Sequence, residues 1–300
     1  MTEFSHILCP VDFSDASRHA VGHAIAVASW YGSRLTALHV LRRGVVFEPP
    51  ILFAERGAVD ALPADRQQVW TSLNGWIEPA LARGITADAR IDEGIPADCI
   101  LQCARVLPAD LVVIGTHGRG AIERLVLGSV AERVLRHAPC PVLTVPPRAA
   151  TASTLPFKRL LCPVDFSQPS LEALRVALSL AEESDAELTL LHAIDWPDDE
   201  TFLVETFESL DMRRQLEVQT AERLDALVPD EARVFSRPAT KVVVGRAHDA
   251  IVASAADLAA DLIVIGVHGR NQLDLTLFGS TTHQVVRRAS CPVLTIRSKQ

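Results

Sequence analysis

Two segments of this chain place glycines, a histidine and a serine at a spacing suited to holding an anion. The first is Gly115-Thr116-His117-Gly118, nine residues, then Gly128-Ser129; the second is Gly266-Val267-His268-Gly269, nine residues, then Gly279-Ser280. Each follows an apolar run, Leu111-Val112-Val113-Ile114 or Leu262-Ile263-Val264-Ile265, and the first precedes a stretch, Val130 to Arg136, with apolar residues at helical spacing. The order is therefore strand, glycine-bounded loop, helix. Without Cβ atoms in the way, backbone amides can approach a phosphate closely, and the free N–H groups of a helix start can point at it. The helix dipole alone contributes about 0.3–1 kcal/mol, so such a cradle needs several amides acting together.

Strands and helices must carry those loops, and the pattern of the first half supplies them. Residues 4–14, ending in Cys9-Pro10-Val11-Asp12-Phe13-Ser14, predict a short strand closed by a cap. A helix over Asp15–Tyr31 follows, with Ser14 as N-cap and Gly32 as its stop. A second strand is expected over 35–40, and 42–63, which contains Pro49-Pro50, reads as a long excursion. A helix over 64–83 comes next, with Gly75 and Pro79 expected to weaken its second half. Strands over 86–91, 110–114 and 141–145 and a short helix over 96–106, opened by Pro96, complete the half. Alternation of this kind predicts an α/β fold with a mainly parallel sheet and right-handed crossovers.

The second half repeats the first. Leu161-Cys162-Pro163-Val164-Asp165-Phe166-Ser167 restates the opening segment at an offset of 153 (162 − 9), His192 restates His39 at the same offset (192 − 39), and the glycine loops are offset by 151 (266 − 115). The glycine after the third strand already shows the offset of 151 (245 − 94), so a net two-residue deletion lies between the second strand and the end of the third, and a whole domain has been duplicated. The expected division is a first domain over 1–148, a small, polar, proline-bearing linker over 149–156 and a second domain over 157–300. Three hundred residues suit two domains of about 150 each.

Both glycine loops, with the aspartates that end the first strand of each half, resemble the nucleotide-binding signature of the universal stress protein family in its tandem form. The resemblance covers nearly the whole chain. It implies two doubly wound, Rossmann-like domains of the adenine nucleotide alpha hydrolase kind, packed as a pseudo-dimer with the fifth strands meeting within one chain. It also implies ATP, with Mg²⁺, as ligand. Carried over by matching position, the first site is Pro10, Asp12, Val40, Ile114, Gly115, His117, Gly118, Gly128, Ser129 and Val130. The second is Pro163, Asp165, Ala193, Ile265, Gly266, His268, Gly269, Gly279, Ser280 and Thr281. Ala193 is smaller than the family's usual valine, Thr281-Thr282-His283 replaces Val130-Ala131-Glu132, and Arg119-Gly120 becomes Arg270-Asn271, so the first site is expected to be the firmer ATP site.

Other chemistry is narrowed by what the residues permit. Asp12 and Asp165 can contact a ligand amine or hydroxyl, or can close the turn before a helix, or both. His117 and His268 suit loop shaping or phosphate contact better than general-base work, and Arg119, Arg124 and Arg270 can reach phosphates or stand as solvated charges. His39 and His192 fit a buried structural histidine or a ligand, and Trp70 and Trp76 a core edge. Four of the six cysteines, Cys9, Cys140, Cys162 and Cys291, are repeat positions at strand ends, whereas Cys99 and Cys103 share a helical face without further metal ligands at suitable spacing. A lysine-bearing P-loop, a Gly-x-Ser-x-Gly elbow and the three-glycine dinucleotide fingerprint are absent. A net charge of −8 argues against general nucleic-acid or anionic-membrane partners, and neither a leader pattern nor a spanning apolar run is legible, so a cytoplasmic protein is expected. The expected function is ATP-dependent stress adaptation or signalling, with an unidentified protein partner and a homodimer of such chains. The alternatives are a slow ATP hydrolase or self-phosphorylating enzyme, with Ser129 or Ser280 as the hydroxyl, and a nucleotide-free interaction scaffold.

Overall fold

The computed structural model describes residues 4–42, 63–117, 127–147, 149, 157–195, 207–235, 238–267 and 279–297. Its first half contains β1 (His6–Pro10), α1 (Asp15–Tyr31), β2 (Arg34–Leu41), α2 (Pro63–Leu81), β3 (Ala87–Glu93), α3 (Pro96–Val106), β4 (Leu111–Gly115), α4 (Ser129–His137) and β5 (Val142–Val145). The second contains β6 (Arg159–Pro163), α5 (Gln168–Ser184), β7 (Glu187–Ile194), α6 (Phe207–Asp225), α7 (Asp230–Phe235), β8 (Ala239–Val244), α8 (Ala247–Asp257), β9 (Leu262–Gly266), α9 (Ser280–Arg288) and β10 (Val293–Ile296). Most of the excursion over 42–63 and most of the expected linker lie outside the described residues.

The strands form one sheet of order β3-β2-β1-β4-β5-β10-β9-β6-β7-β8. Each half is parallel with order 3-2-1-4-5, as the resemblance implied, and the halves join through one antiparallel pair in which Leu143 faces Leu294. Central strands β4 and β9 are buried at every position, as expected of parallel strands covered on both faces. One face is covered by α1, α2, α5 and α6, whose Ala20, Ala24, Ile77, Ala173, Ala177 and Leu224 join a single core running through both halves. On the other face α3, α4, α8 and α9 contribute Ile100, Val134, Ile251 and Val285 to a second.

Local chemistry explains the helix bounds. Ser14 caps α1 by accepting the Ser17 amide at 3.2 Å, and Gly32 ends it at φ 66°. At the equivalent end of α5 the left-handed position holds Asp185 at φ 49°, one of the few non-glycine residues that tolerate it. Contrary to expectation, α2 runs unbroken through Gly75 and Pro79. Its Leu73, Ile77 and Ala80 are buried at i, i+4 and i+7, and that burial against the sheet outweighs a proline cost of about 3 kcal/mol.

Contacts between the halves are symmetric at the strands and asymmetric around them. Thr144 Oγ1 donates to the Val293 carbonyl at 3.2 Å, and its repeat partner Thr295 donates to Val142 at 3.1 Å. By contrast, Tyr31 donates to the Glu183 carboxylate at 2.7 Å, while the repeat equivalents of that pair are Ser184 and Trp30. Burial and the Glu183 carboxylate together push the Tyr31 phenol above its usual range. Arg297 donates to the carbonyls of Leu135 and Arg136, satisfying the open end of α4 from across the junction. Its repeat equivalent is Pro146, which has no donor to offer in return.

All six cysteines are free thiols. Burial pushes Cys9, Cys140 and Cys291 up to about 12 and raises Cys162 further. Cys99 and Cys103 are also raised, chiefly by burial, and among the described residues no group of three or more His, Cys, Asp or Glu side chains could hold a metal. The folded state therefore binds these thiol protons more tightly than the unfolded chain does. Stability should be complete below pH 9.0, the ordinary thiol value, and fall as the pH climbs toward 12, measured by denaturant titration across that window. Replacing Leu143, 2% exposed at the junction, by alanine should lower the unfolding free energy by about 2–5 kcal/mol in the same titration. A loss well below that range would mean that the junction is not packed as a core.

Candidate functional site

Strand order reverses between β1 and β4 in the first half and between β6 and β9 in the second, which brings the carboxyl ends of those strands side by side. Crevices at such reversals are where open α/β sheets bind ligands. Because β5 and β10 run antiparallel, the two crevices open at opposite edges of the sheet.

Beyond β1 the chain turns sharply into α1. Asp12 Oδ1 accepts the Ser14 amide at 3.0 Å and the Ser14 hydroxyl at 2.5 Å; Asp165 does the same with Ser167 at 3.0 and 2.5 Å. The turn-closing role is thus built, and it fixes a half-buried carboxylate beside the reversal. Phe13 and Phe166 follow in the left-handed region, at φ 62° and 63°. Such a conformation costs a residue with a side chain about 1–2 kcal/mol, so the surroundings must hold it. His39 and His192 stack against those rings with centroids 4.8 Å apart in both halves, and their Nδ1 atoms lie 2.7 and 2.6 Å from the Val11 and Val164 carbonyl oxygens. A hydrogen bond of about 1 kcal/mol and an aromatic contact of about 0.5–1.5 kcal/mol offset the strain. Trp76 packs edge-on against Phe13 at 5.3 Å, a core-edge role as expected, while Arg223 lies over Phe166 at 4.0 Å.

Across the reversal, β4 ends in Ile114 and Gly115, and Gly128 returns by donating its amide to the Thr116 carbonyl at 2.8 Å; Gly279 donates to Val267 at 3.0 Å. Gly128 and Gly279 are the N-caps of α4 and α9, and neither helix start has a side-chain cap, so the first-turn amides have no side-chain acceptor of that kind. Ser129 and Ser280 open those helices from exposed positions, and Val130 and Thr281 follow half-buried. Pro10 and Pro163 lie buried at the ends of β1 and β6, while Val40 and Ala193 sit half-buried near the ends of β2 and β7. The structure thus gathers Pro10, Asp12, Val40, Ile114, Gly115, Gly128, Ser129 and Val130 around one strand-end edge, with the second set in matching places. Gly118, His268 and Gly269, like Arg119, Arg124 and Arg270, lie outside the described residues.

Gly115 and Gly266 prove to have a packing reason of their own. A Cβ on Gly115 would meet the Ala16 backbone carbonyl carbon and oxygen at 2.9 Å, and one on Gly266 would meet Pro169 at 2.7 and 2.8 Å. These glycines let the strand end press against the first turn of α1 or α5. His117 Nδ1 meets the Thr116 hydroxyl at 2.8 Å, a contact that cannot recur where Val267 replaces Thr116. In the second half, Thr282 donates to the Gly266 carbonyl at 2.8 Å and pins α9 to β9, whereas the equivalent Ala131 has no hydroxyl. The sequence had shown the paired Pro-Val-Asp-Phe-Ser segments. It did not show that phenylalanine and the distant histidine form one unit, although their identical recurrence in both halves was the available signal.

The sequence profile of the Universal stress protein family matches residues 3–146 and 156–297. A universal stress protein of Mycobacterium tuberculosis is 30% identical over 265 residues, covering 88% of this chain and 87% of that protein. One from Methanocaldococcus jannaschii is 33% identical over 142 residues, covering 47% of this chain and 82% of its own length. Among solved structures, a universal stress protein from Archaeoglobus fulgidus superposes with a TM-score of 0.69 at 21% identity, covering 100% of this chain and 99% of that one, a likeness of fold.

The two kinds of glycine should respond differently to a methyl group. Gly266→Ala must displace backbone and should cost about 1–3 kcal/mol. Gly128→Ala, at φ −62° and ψ 137°, takes a conformation open to any residue and should cost under about 1 kcal/mol. Thermal unfolding of both variants checks the order, and equal losses would refute the packing role of Gly266.

Proposed function

The chain belongs to the universal stress protein family, and we propose that each half is an adenine-nucleotide-binding module that takes ATP and serves stress adaptation or signalling. One observation carries this reading: in both halves a helix start without a side-chain cap faces the strand-order reversal from one side, and a fixed aspartate turn faces it from the other. That donor set suits a nucleotide. Backbone amides and a helix N-terminus favour phosphates, whereas a carboxylate repels phosphates and accepts from an amine or hydroxyl, so the two ends of the ligand are sorted by charge. Among the described residues no cluster suits a metal cage, and a Mg²⁺ ion would be carried mainly by the phosphates, in keeping with its reluctance to lose water.

The same arrangement supports binding rather than turnover. Ser14 and Ser167 donate their hydroxyls to Asp12 and Asp165 at 2.5 Å, and both hydroxyls are spent on capping α1 and α5. We place the protein in the cytoplasm, with its nucleotide state read by a protein partner or by self-association into a homodimer of chains. The domain boundaries proposed are 1–148 and 157–300, with the linker between them.

Nucleotide released by denaturing gently purified protein should be ATP, at one or two per chain. Ser129→Asp and Ser280→Asp supply the matched test. An acidic residue at the exposed first position of a helix is mildly stabilising by itself, about 0.3–1 kcal/mol, yet it places a negative charge where phosphates would sit. Each variant should therefore keep its thermal midpoint while weakening ATP at one site by about tenfold or more in calorimetric titration. Unchanged affinity in the double variant would overturn the reading.

A further inference from the structure

Phosphate recognition at a helix start does not account for the left-handed phenylalanine beside each aspartate. What surrounds it is the same twice. The Val11 amide donates to the Leu38 carbonyl at 2.8 Å, and the Val11 carbonyl accepts from His39 at 2.7 Å. In the second half Val164 donates to Leu191 at 2.8 Å and accepts from His192 at 2.6 Å. Both polar groups of the residue before the aspartate are thus gripped by consecutive residues at the end of the neighbouring strand. A carbonyl oxygen can only accept, so Nδ1 must carry the ring proton in both histidines. The same imidazole then lies against the phenylalanine after the aspartate, 4.8 Å away and tilted 40° in each half. One side chain therefore holds the peptide before the aspartate and the ring after it.

We propose that His39 and His192 are positioning residues that fix the carboxylates of Asp12 and Asp165 for the ligand. Each ties the strained turn to the second strand of its half, so that the aspartate's backbone angles, and with them the direction of its carboxylate, are set before any ligand arrives. The ligand's identity rests on the nucleotide reading above; the geometry does not. Two copies at an offset of 153 residues (192 − 39), with distances agreeing to within 0.1 Å, make a shared constraint the economical account of this arrangement.

The test uses the full chain, with the second half as internal control for the first. In nucleotide-free protein the Ser14 and Ser167 amides, each 3.0 Å from an aspartate oxygen, report where the carboxylates sit. His39→Leu should move the Ser14 amide resonance, leave Ser167 in place, and weaken ATP at the first site by about tenfold, the size expected for mis-set hydrogen bonds to a charged group. His39→Asn, whose carboxamide N–H stands where Nδ1–H stood, should restore the Ser14 resonance and most of the affinity. A merely space-filling histidine predicts the reverse ranking, since leucine fills the apolar volume better. An unmoved Ser14 resonance in His39→Leu, or no rescue by asparagine, overturns the proposal. Should wild-type protein bind no ATP, the nucleotide reading falls and the amide resonances still decide the positioning role. Should His39→Leu not fold, long-range proton–nitrogen correlation on the wild type decides, because Nε2-protonated tautomers at His39 and His192 would be incompatible with the bonds to Val11 and Val164.

Discussion

A single antiparallel strand pair, β5 against β10, is the constraint on which the rest of this molecule depends. Each half by itself would end in the exposed edge of a parallel sheet, a row of unmet backbone donors and acceptors flanked by apolar side chains. Pairing the two edges closes both at once, makes one sheet of two, and lets each helical layer share a core across the junction. It also decides where ligands can sit. Antiparallel joining turns the strand ends of one half away from those of the other, so two equivalent crevices arise that do not face each other.

Duplication made the halves alike, and the junction made them specific to each other. The threonine bonds at β5 and β10 are interchangeable, as befits a near-symmetric pair. The contacts around them are not. Glu132 meets its own repeat equivalent, His283, at 4.0 Å across the junction; two copies of the first half would set carboxylate against carboxylate there. Arg297 closes the end of α4 with no reciprocal partner at Pro146, and Tyr31 meets Glu183 where a copy of its own half would offer Trp30. These differences favour the joined arrangement over the self-pairing of either half.

At the crevices, rigidity comes from behind and from the side. The glycine that ends β4 or β9 admits the first turn of a helix to within van der Waals contact, and the histidine that ends the second strand grips the aspartate turn. The first turns of α4 and α9 carry no side-chain cap, and their amides are the groups that the proposed phosphate would satisfy. A site in which the acceptor carboxylate and the amide donors are both held by the scaffold is suited to recognition, because little ordering is left for the ligand to cause. The halves differ in one respect that bears on this. Thr282 ties α9 to β9 through a hydroxyl that the equivalent Ala131 lacks.

Much of this was legible in the sequence because it is local or repeated. Ser14 and Gly32 bounded α1 through capping chemistry that acts within a few residues, the alternation of apolar runs set the α/β class, and the duplicated motifs marked both crevices and the family. Where neighbours in space are distant in sequence, the residues alone were silent or misleading. Pro79 argued against a helix that the burial of Leu73, Ile77 and Ala80 sustains. Gly115 reads in the sequence as room for a ligand, and its packing against Ala16 was not legible there; His39 stood beside no partner in the sequence although it grips Val11 across 28 residues. Capping, periodicity and repetition are properties of a chain segment, and the sequence determines them directly. Close approach, strain relief and the opposition of the two crevices depend on which strand lies beside which, and only the closed sheet decides that.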